Sequence, residues 1–272
     1  MSRYYLEHFK LRHEPFSKEI CGADLWLPSR KQGAVDAVCD AIEARQNVML
    51  VGEPGVGKTS VLRAVRHRLS SDQSIRFSYC HNATLGRRDF YRQLCMAMGV
   101  RSSATVGALF HAVSTHIVEL GRDHHYPVVL LDEAHLLQQD TLEHLHILLN
   151  YEWDSRALLS LVLVGLPELR DRLSLRMNRS LYSRIQCRLE VEELCAEETR
   201  EYVVYRLDQA GATSAVVEDT ALLYLHEATG GSMREIDRVM TRALELAAHR
   251  KRKMVSRREI EGALAGVLPQ LE

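Results

Sequence analysis

Two stretches of this sequence combine residue types and spacings suited to phosphate chemistry. Gly52-Glu53-Pro54-Gly55-Val56-Gly57-Lys58-Thr59 satisfies the pattern G-x-x-x-x-G-K-[ST]. Val128 to Leu137, VVLLDEAHLL, is an apolar run that ends in two adjacent acids and a histidine. In the first stretch the glycines let successive backbone N–H groups turn toward one centre, and a following helix adds the positive end of its dipole. A polyphosphate can then be wrapped without side-chain obstruction. Lys58 would reach the β- and γ-phosphates, Thr59 would ligate Mg²⁺, and Ser60 completes the phosphate-binding run that starts at Gly52. In the second stretch Asp132 suits the metal, and Glu133 suits the activation of an attacking water. Adjacent acids repel each other beside an apolar interior unless a cation is near. Each stretch therefore calls for the other.

The elements that must position these residues follow from hydrophobic spacing. NVMLVG, just before the glycine loop, reads as a short buried strand, and SVLRAVRHRL, just after it, reads as an amphipathic helix. Lys31 to Arg45 has helical spacing. IRFSYCHN, PVVLLDEAH, LLSLVLVGL and RIQCRLEV are four further strands, and DFYRQLCMAMGV, ALFHAVSTHIVEL and a segment opened by Pro167 are helices. Strands alternating with helices predict an α/β fold, a parallel five-stranded sheet with helices on both faces. Beyond Glu192 the pattern changes to four successive helical segments, EETREYVVYRLDQAGA, EDTALLYLHEAT, MREIDRVMTRALELAAHR and SRREIEGALAGVL. The expected organisation is an N-terminal arm and first helix over residues 1–45 packing on the nucleotide site, a core over 46–191, and a small helical lid over 192–272.

Composition narrows the partners. Lys and Arg total 35 against 36 Asp and Glu, so no whole-chain field draws the protein to nucleic acid or to an acidic membrane, and anionic partners must be held by local patches. The six cysteines are scattered without metal-ligand spacing and read as reduced thiols of a cytoplasmic protein. MSRYYLEHFKLRHEPF carries charges where a signal peptide needs an apolar core, and the apolar runs fall short of the roughly 20 residues of a membrane helix. No membrane partner is expected. Asp132-Glu133-Ala134-His135 spells the box of a helicase superfamily, but such helicases need two tandem ATP-handling domains, and a chain of this length is not expected to be one. His135 is expected to cap or pack at the start of the next helix, with coupling to bound DNA as the alternative.

With these motifs in place the chain resembles AAA+ ATPases, whose phosphate-loop αβα sandwich is followed by a helical lid. Within that group it is similar to the ExeA-like branch, which includes secretion ATPases and the TnsC and TniB type regulators of DNA transposition. YYLEHFKLRHEPF, with Pro15-Phe16, resembles the opening segment of that branch; Gly165-Leu166-Pro167-Glu168-Leu169 resembles its G-Q-P-E-L. Ser183-Arg184-Ile185 resembles its Q-R-I, and Gly230-Gly231-Ser232-Met233-Arg234-Glu235-Ile236-Asp237 its G-x-P-R-x-I-N. The resemblance implies ATP and Mg²⁺ as cofactors, with Phe16 beside the adenine. It implies Arg184 as an arginine finger acting on a neighbouring subunit, Arg179 and Arg188 lying close by, and Arg234 as a lid arginine that contacts the nucleotide. Leu166 departs from the usual Gln, which puts a polar sensor there in doubt. Asn82 or His81 could hold Glu133 away from water, and a plain turn is the third reading.

Two basic patches are candidate contacts to double-stranded DNA. One is Arg87, Arg88 and Arg92; the other is Arg250, Lys251, Arg252 and Lys253, followed by Arg257 and Arg258. Repeated around a homo-oligomer, ring or helical filament, weak phosphate contacts add and remain salt-sensitive. The favoured reading is an assembly- and DNA-stimulated ATPase that oligomerises on duplex DNA and recruits or activates a transposase. The alternatives are an ExeA-like ATPase remodelling a secretion or envelope assembly, and a nucleotide-gated scaffold with negligible hydrolysis.

Overall fold

The computed structural model of the protein describes residues 4–20, 24–81, 86–101, 105–152 and 155–267. The chain divides into two compact units, one of Ser29–Glu53 and Lys58–Val191, the other of Met1–Pro28, Pro54–Gly57 and Glu192–Glu272.

The first of these is built on five strands: β1 (Asn47–Val51), β2 (Ile75–Cys80), β3 (Tyr126–Leu131), β4 (Ser160–Gly165) and β5 (Ile185–Glu190). Their order is β2-β3-β4-β1-β5, and every pairing is parallel. β1, β3 and β4 are buried along their whole length, as unbroken apolar runs must be when helices cover both faces. The edge strands β2 and β5 alternate between buried and more exposed positions. Parallel strands need crossovers, and α2 (Ser29–Glu43), α3 (Lys58–Arg68), α4 (Arg87–Ala97), α5 (Val106–Arg122), α6 (Gln139–Leu148), α7 (Glu168–Ser174) and α8 (Arg179–Tyr182) flank and connect them. Phe90, Tyr91, Leu94, Leu109, Val113, Ile117, Leu142 and Leu145 pack with Val129, Leu131, Leu161 and Leu163 in one core. Each such buried side chain contributes about 1.5–3 kcal/mol by leaving water.

Register decides where the chemistry sits. Leu131 of β3 pairs with Leu163 of β4, and Val51 of β1 pairs with Gly165 of the same strand. The carboxyl ends of β1 and β3 therefore lie on either side of β4, roughly 10 Å apart at two of the usual inter-strand spacings. The crevice outside such strand ends is the usual ligand site of open parallel sheets.

The second unit is helical: α1 (Tyr4–His8), α9 (Ala196–Gln209), α10 (Asp219–Thr229), α11 (Met233–His249) and α12 (Arg257–Val267). Tyr5, Leu11 and Phe16 join Tyr202, Val203, Leu225, Ile236, Val239 and Met240 in its core. Arg206, 6% exposed, ties the N-terminal arm to α9 by donating to the carbonyls of Pro15 at 2.6 Å and Ser17 at 2.7 Å. The compact units thus part at Pro28 and Ser29, not near residue 45: the arm is bonded to α9, while α2 packs on α3, β1 and β5.

Candidate functional site

The glycine loop leaves β1 at Val51 and runs into α3, which opens at Lys58. Gly55 (φ 87°) and Gly57 (φ 101°) adopt left-handed backbone conformations that strain any side chain. Gly55 is constrained twice, because a Cβ there would lie 2.6 Å from Ser232 Oγ of its own unit. Val56 between the glycines is buried and anchors the loop, whereas Glu53 and Pro54 are exposed. The Lys58 ammonium turns back over the loop and donates to the carbonyls of Gly52 at 2.6 Å and Glu53 at 2.9 Å. Thr59 is exposed and Ser60 half-buried in the first turn of α3. Left-handed glycines, and an eleven-residue helix that opens at the lysine, are features that suit a polyphosphate.

At the end of β3 the two acids have different surroundings. Asp132 continues the ladder, its N–H donating to the Cys80 carbonyl at 2.9 Å. Both of its carboxylate oxygens accept: Oδ1 from the Glu133 N–H at 2.9 Å and Oδ2 from the Tyr79 hydroxyl at 2.8 Å. Burial, and then Asp132, push the Tyr79 hydroxyl pKa up, which keeps it a donor. Glu133 has φ 53° and ψ 34°, a left-handed conformation rare for a residue with a side chain, and its side chain is 52% exposed. Strain of this sort costs about 1–3 kcal/mol and is concentrated at functional sites. The backbone turn separates the two carboxylates, one locked and one free to meet water. A threonine hydroxyl and one fixed carboxylate are a sufficient protein share for Mg²⁺, which keeps water and phosphate oxygens as its other ligands.

The remaining expectations fall out unevenly. His135 lies in a short 3-10 turn, Ala134–Leu136, before α6, and its ring is near Glu133. His81 is exposed with its ring stacked on Tyr79 at 6.0 Å, and Asn82 lies outside the described residues. Arg184 is half-buried; its Nη1 donates to the Ser180 carbonyl at 3.0 Å, and its own carbonyl accepts from Asn47 at 2.8 Å. Arg188 is held over the Tyr182 ring at 3.9 Å, while Arg179 is exposed at the start of α8. In the helical unit Arg234 is exposed and its N–H donates to the Gly55 carbonyl at 3.3 Å. Phe16 is buried there, with the Arg206 guanidinium 5.7 Å from its ring centre.

The basic patches are partly committed to internal bonds. Arg92 pairs with Asp89 at 3.5 Å, Arg88 is exposed and Arg87 half-buried. Arg250 is drawn to Glu259 at 2.9 Å and Arg257 to Glu261 at 2.9 Å, leaving Lys251, Arg252, Lys253 and Arg258 exposed. Burial opposes ionisation of Glu259, but hydrogen bonds from Ser256 and Arg250 outweigh it and hold its carboxyl below the ordinary range. Two residues of the site escaped sequence reasoning: Tyr79, which is an ordinary strand residue by pattern, and Arg172, which donates to the carbonyls of His135 and Leu137.

Residues 41–173 match the family model of the AAA domain. The general secretion pathway protein A of Aeromonas hydrophila is 32% identical over 243 residues, 88% of this chain and 44% of that protein. The chain thus spans less than half the length of this relative. The crystal structure of Cdc6p from Pyrobaculum aerophilum superposes with a TM-score of 0.78 at 18% identity, covering 95% of this chain and 72% of that one. The Aeropyrum pernix ORC1 protein in complex with DNA gives 0.67 at 21% identity, covering 89% and 66%. The fold is that of an AAA+ ATPase. Among the described residues no helix is long and apolar enough to cross a membrane.

Proposed function

We propose that this chain binds ATP with Mg²⁺ and hydrolyses it at the glycine loop and the acid pair. The observation that carries the reading is the pairing of the two motifs. The loop turns left-handed at Gly55 and Gly57 just after β1, and on the far side of β4 the strand β3 ends in a locked Asp132 and an exposed Glu133. Thr59 and Asp132 would hold the metal, whose charge neutralises the phosphate oxygens. Lys58, with the N–H groups of the loop residues between Gly52 and Ser60 other than Pro54, holds the phosphates in line. Glu133 takes a proton from the attacking water, and that water's oxygen displaces ADP from the terminal phosphorus. Phe16 is assigned to the adenine side, Arg234 to reporting the nucleotide state, and Arg184 to completing a neighbouring copy's site; a finger of this type is worth ~10³–10⁵ in rate.

The work that hydrolysis drives is read as ATP-dependent assembly on duplex DNA in the cytoplasm, in the service of a transposase. Exposed Arg88, Lys251, Arg252 and Lys253 support this, as does a fold neighbour captured with DNA. A second reading, the remodelling of a secretion assembly, is favoured by the relative named for the general secretion pathway. Mobility shift of a DNA duplex with ATP, ADP or no nucleotide separates them. The first reading expects a shift only with ATP, weakening steeply with salt, and none for Lys58→Ala, which should lose nucleotide binding. Absence of any shift would leave the secretion reading standing.

A further inference from the structure

Leu166 stands where the resemblance expects a polar sensor, and His135 has no assigned task. His135 Nδ1 faces two groups at once, the Leu166 N–H at 3.4 Å and Glu133 Oε2 at 3.5 Å. One ring nitrogen cannot serve both. It accepts from Leu166 only through a free lone pair, and it donates to Glu133 only when it carries the proton. Both contacts are longer than a settled hydrogen bond, as suits an atom shared between two claimants. The surroundings keep the ring in this position. Its side chain is 13% exposed, and Arg172 clamps the turn through the carbonyls of His135 and Leu137. Gly165 leaves the room: a Cβ there would come within 3.2 Å of both His135 N and Nδ1.

Resting on the ATPase reading above, we propose that His135 is a positioning residue that couples the tip of β4 to Glu133. With the proton on Nδ1, the ring donates to Glu133 and orients the carboxylate for its water, as a third group orients a base elsewhere. With the proton on Nε2, Nδ1 accepts from the Leu166 N–H, and its lone pair turns the carboxylate away. The exchange releases a proton from one ring nitrogen and takes one up at the other, with no net change. A shift of the β4 tip alters the Leu166 claim and thereby the state of Glu133. The sensor is a main-chain N–H, which any residue except proline supplies, so an apolar side chain at 166 is no loss.

Two measurements on the full chain test this. In protein with ¹⁵N-labelled histidine rings, the His135 signal is identified by its loss in His135→Asn. Glu133→Ala should move that ring toward the Nε2–H tautomer, and an unchanged tautomer overturns the coupling. In ATP turnover, His135→Phe should lower kcat about tenfold or more with nucleotide affinity retained. His135→Asn, whose amide reaches the Nδ1 position, should restore most of the rate, and His135→Gln, which reaches only the Nε2 position, should not. Equal rescue by Gln, or a wild-type rate for Phe, overturns the coupling while the ATPase reading stands. Wild-type turnover by Glu133→Gln would instead remove the ATPase reading itself.

Discussion

Two polar clusters in this protein are built from the same kinds of group and behave in opposite ways. In the helical unit Arg206, Tyr202 and Asp237 form a closed knot. Arg206 Nη1 donates to the Tyr202 hydroxyl at 2.7 Å, that hydroxyl donates to Asp237 at 2.6 Å, and the other guanidinium nitrogens bind the arm. At the end of β3, Glu133 is strained, half-exposed and near a histidine claimed by a second partner. In the first cluster every buried group has found a partner, which makes a low-energy but inert arrangement. In the second the satisfied Asp132 lies beside groups that are left over, and leftover capacity is what a substrate, a metal or a water can use. A residue's chemistry alone does not mark it as functional; unspent valence in a rigid frame does.

The contrast can be broken, and the largest effect should come from Glu133→Gln. Loss of the base is expected to lower the hydrolysis rate by about 10²–10⁴-fold while the thermal midpoint stays within a degree or so. A large fall in the midpoint would move Glu133 into the structural class. Arg206→Ala should do the reverse. Unpairing a buried ion cluster costs about 3–5 kcal/mol in denaturant unfolding, and a change near zero would mean the knot holds nothing together.

Asp237 sharpens the same point through pH. Burial pushes its carboxyl up to about 6 against an ordinary value of 3.8, with Tyr202 and Arg206 pulling the other way. Between those two values the folded protein keeps a proton that the unfolded chain has lost. Stability should therefore fall as pH rises through that window, by at most about 3 kcal/mol. Asp237→Asn should flatten this slope in unfolding curves taken from pH 4 to 6.5, and a slope that persists would assign it to another group. The smallest effect is expected from Tyr79→Phe. Losing one of the two hydrogen bonds to Asp132, worth about 1 kcal/mol, should raise the Mg²⁺ needed for half-maximal hydrolysis roughly fivefold without altering the fold.

Much of this was legible in the sequence, and for a local reason. The G-x-x-x-x-G-K-[ST] loop, the apolar strands and the four C-terminal helices are written in short-range spacing, since a strand repeats every two residues and a helix every 3.6. The order of the strands, which brings β3 near β1 with β4 between them, was not written that way. Nor was the attachment of Met1–Pro28 to the helical unit, which depends on Arg206 reaching Pro15 and Ser17 across 191 and 189 residues of chain. Arm residues such as Phe16 carry the same apolar signal whichever core they enter.

The sequence by itself determined which residues could bind phosphate, and that Asp132 and Glu133 would lie at a strand end. Only the tertiary structure decided what surrounds each of them. Tyr79 comes from a neighbouring strand to hold Asp132, while a left-handed turn sends Glu133 elsewhere. The packing of Gly165 against His135 sets one imidazole between the Glu133 carboxylate and a backbone amide 31 residues away. Those relations are distances between groups remote along the chain, and parallel-sheet register, which no local spacing encodes, is what sets them.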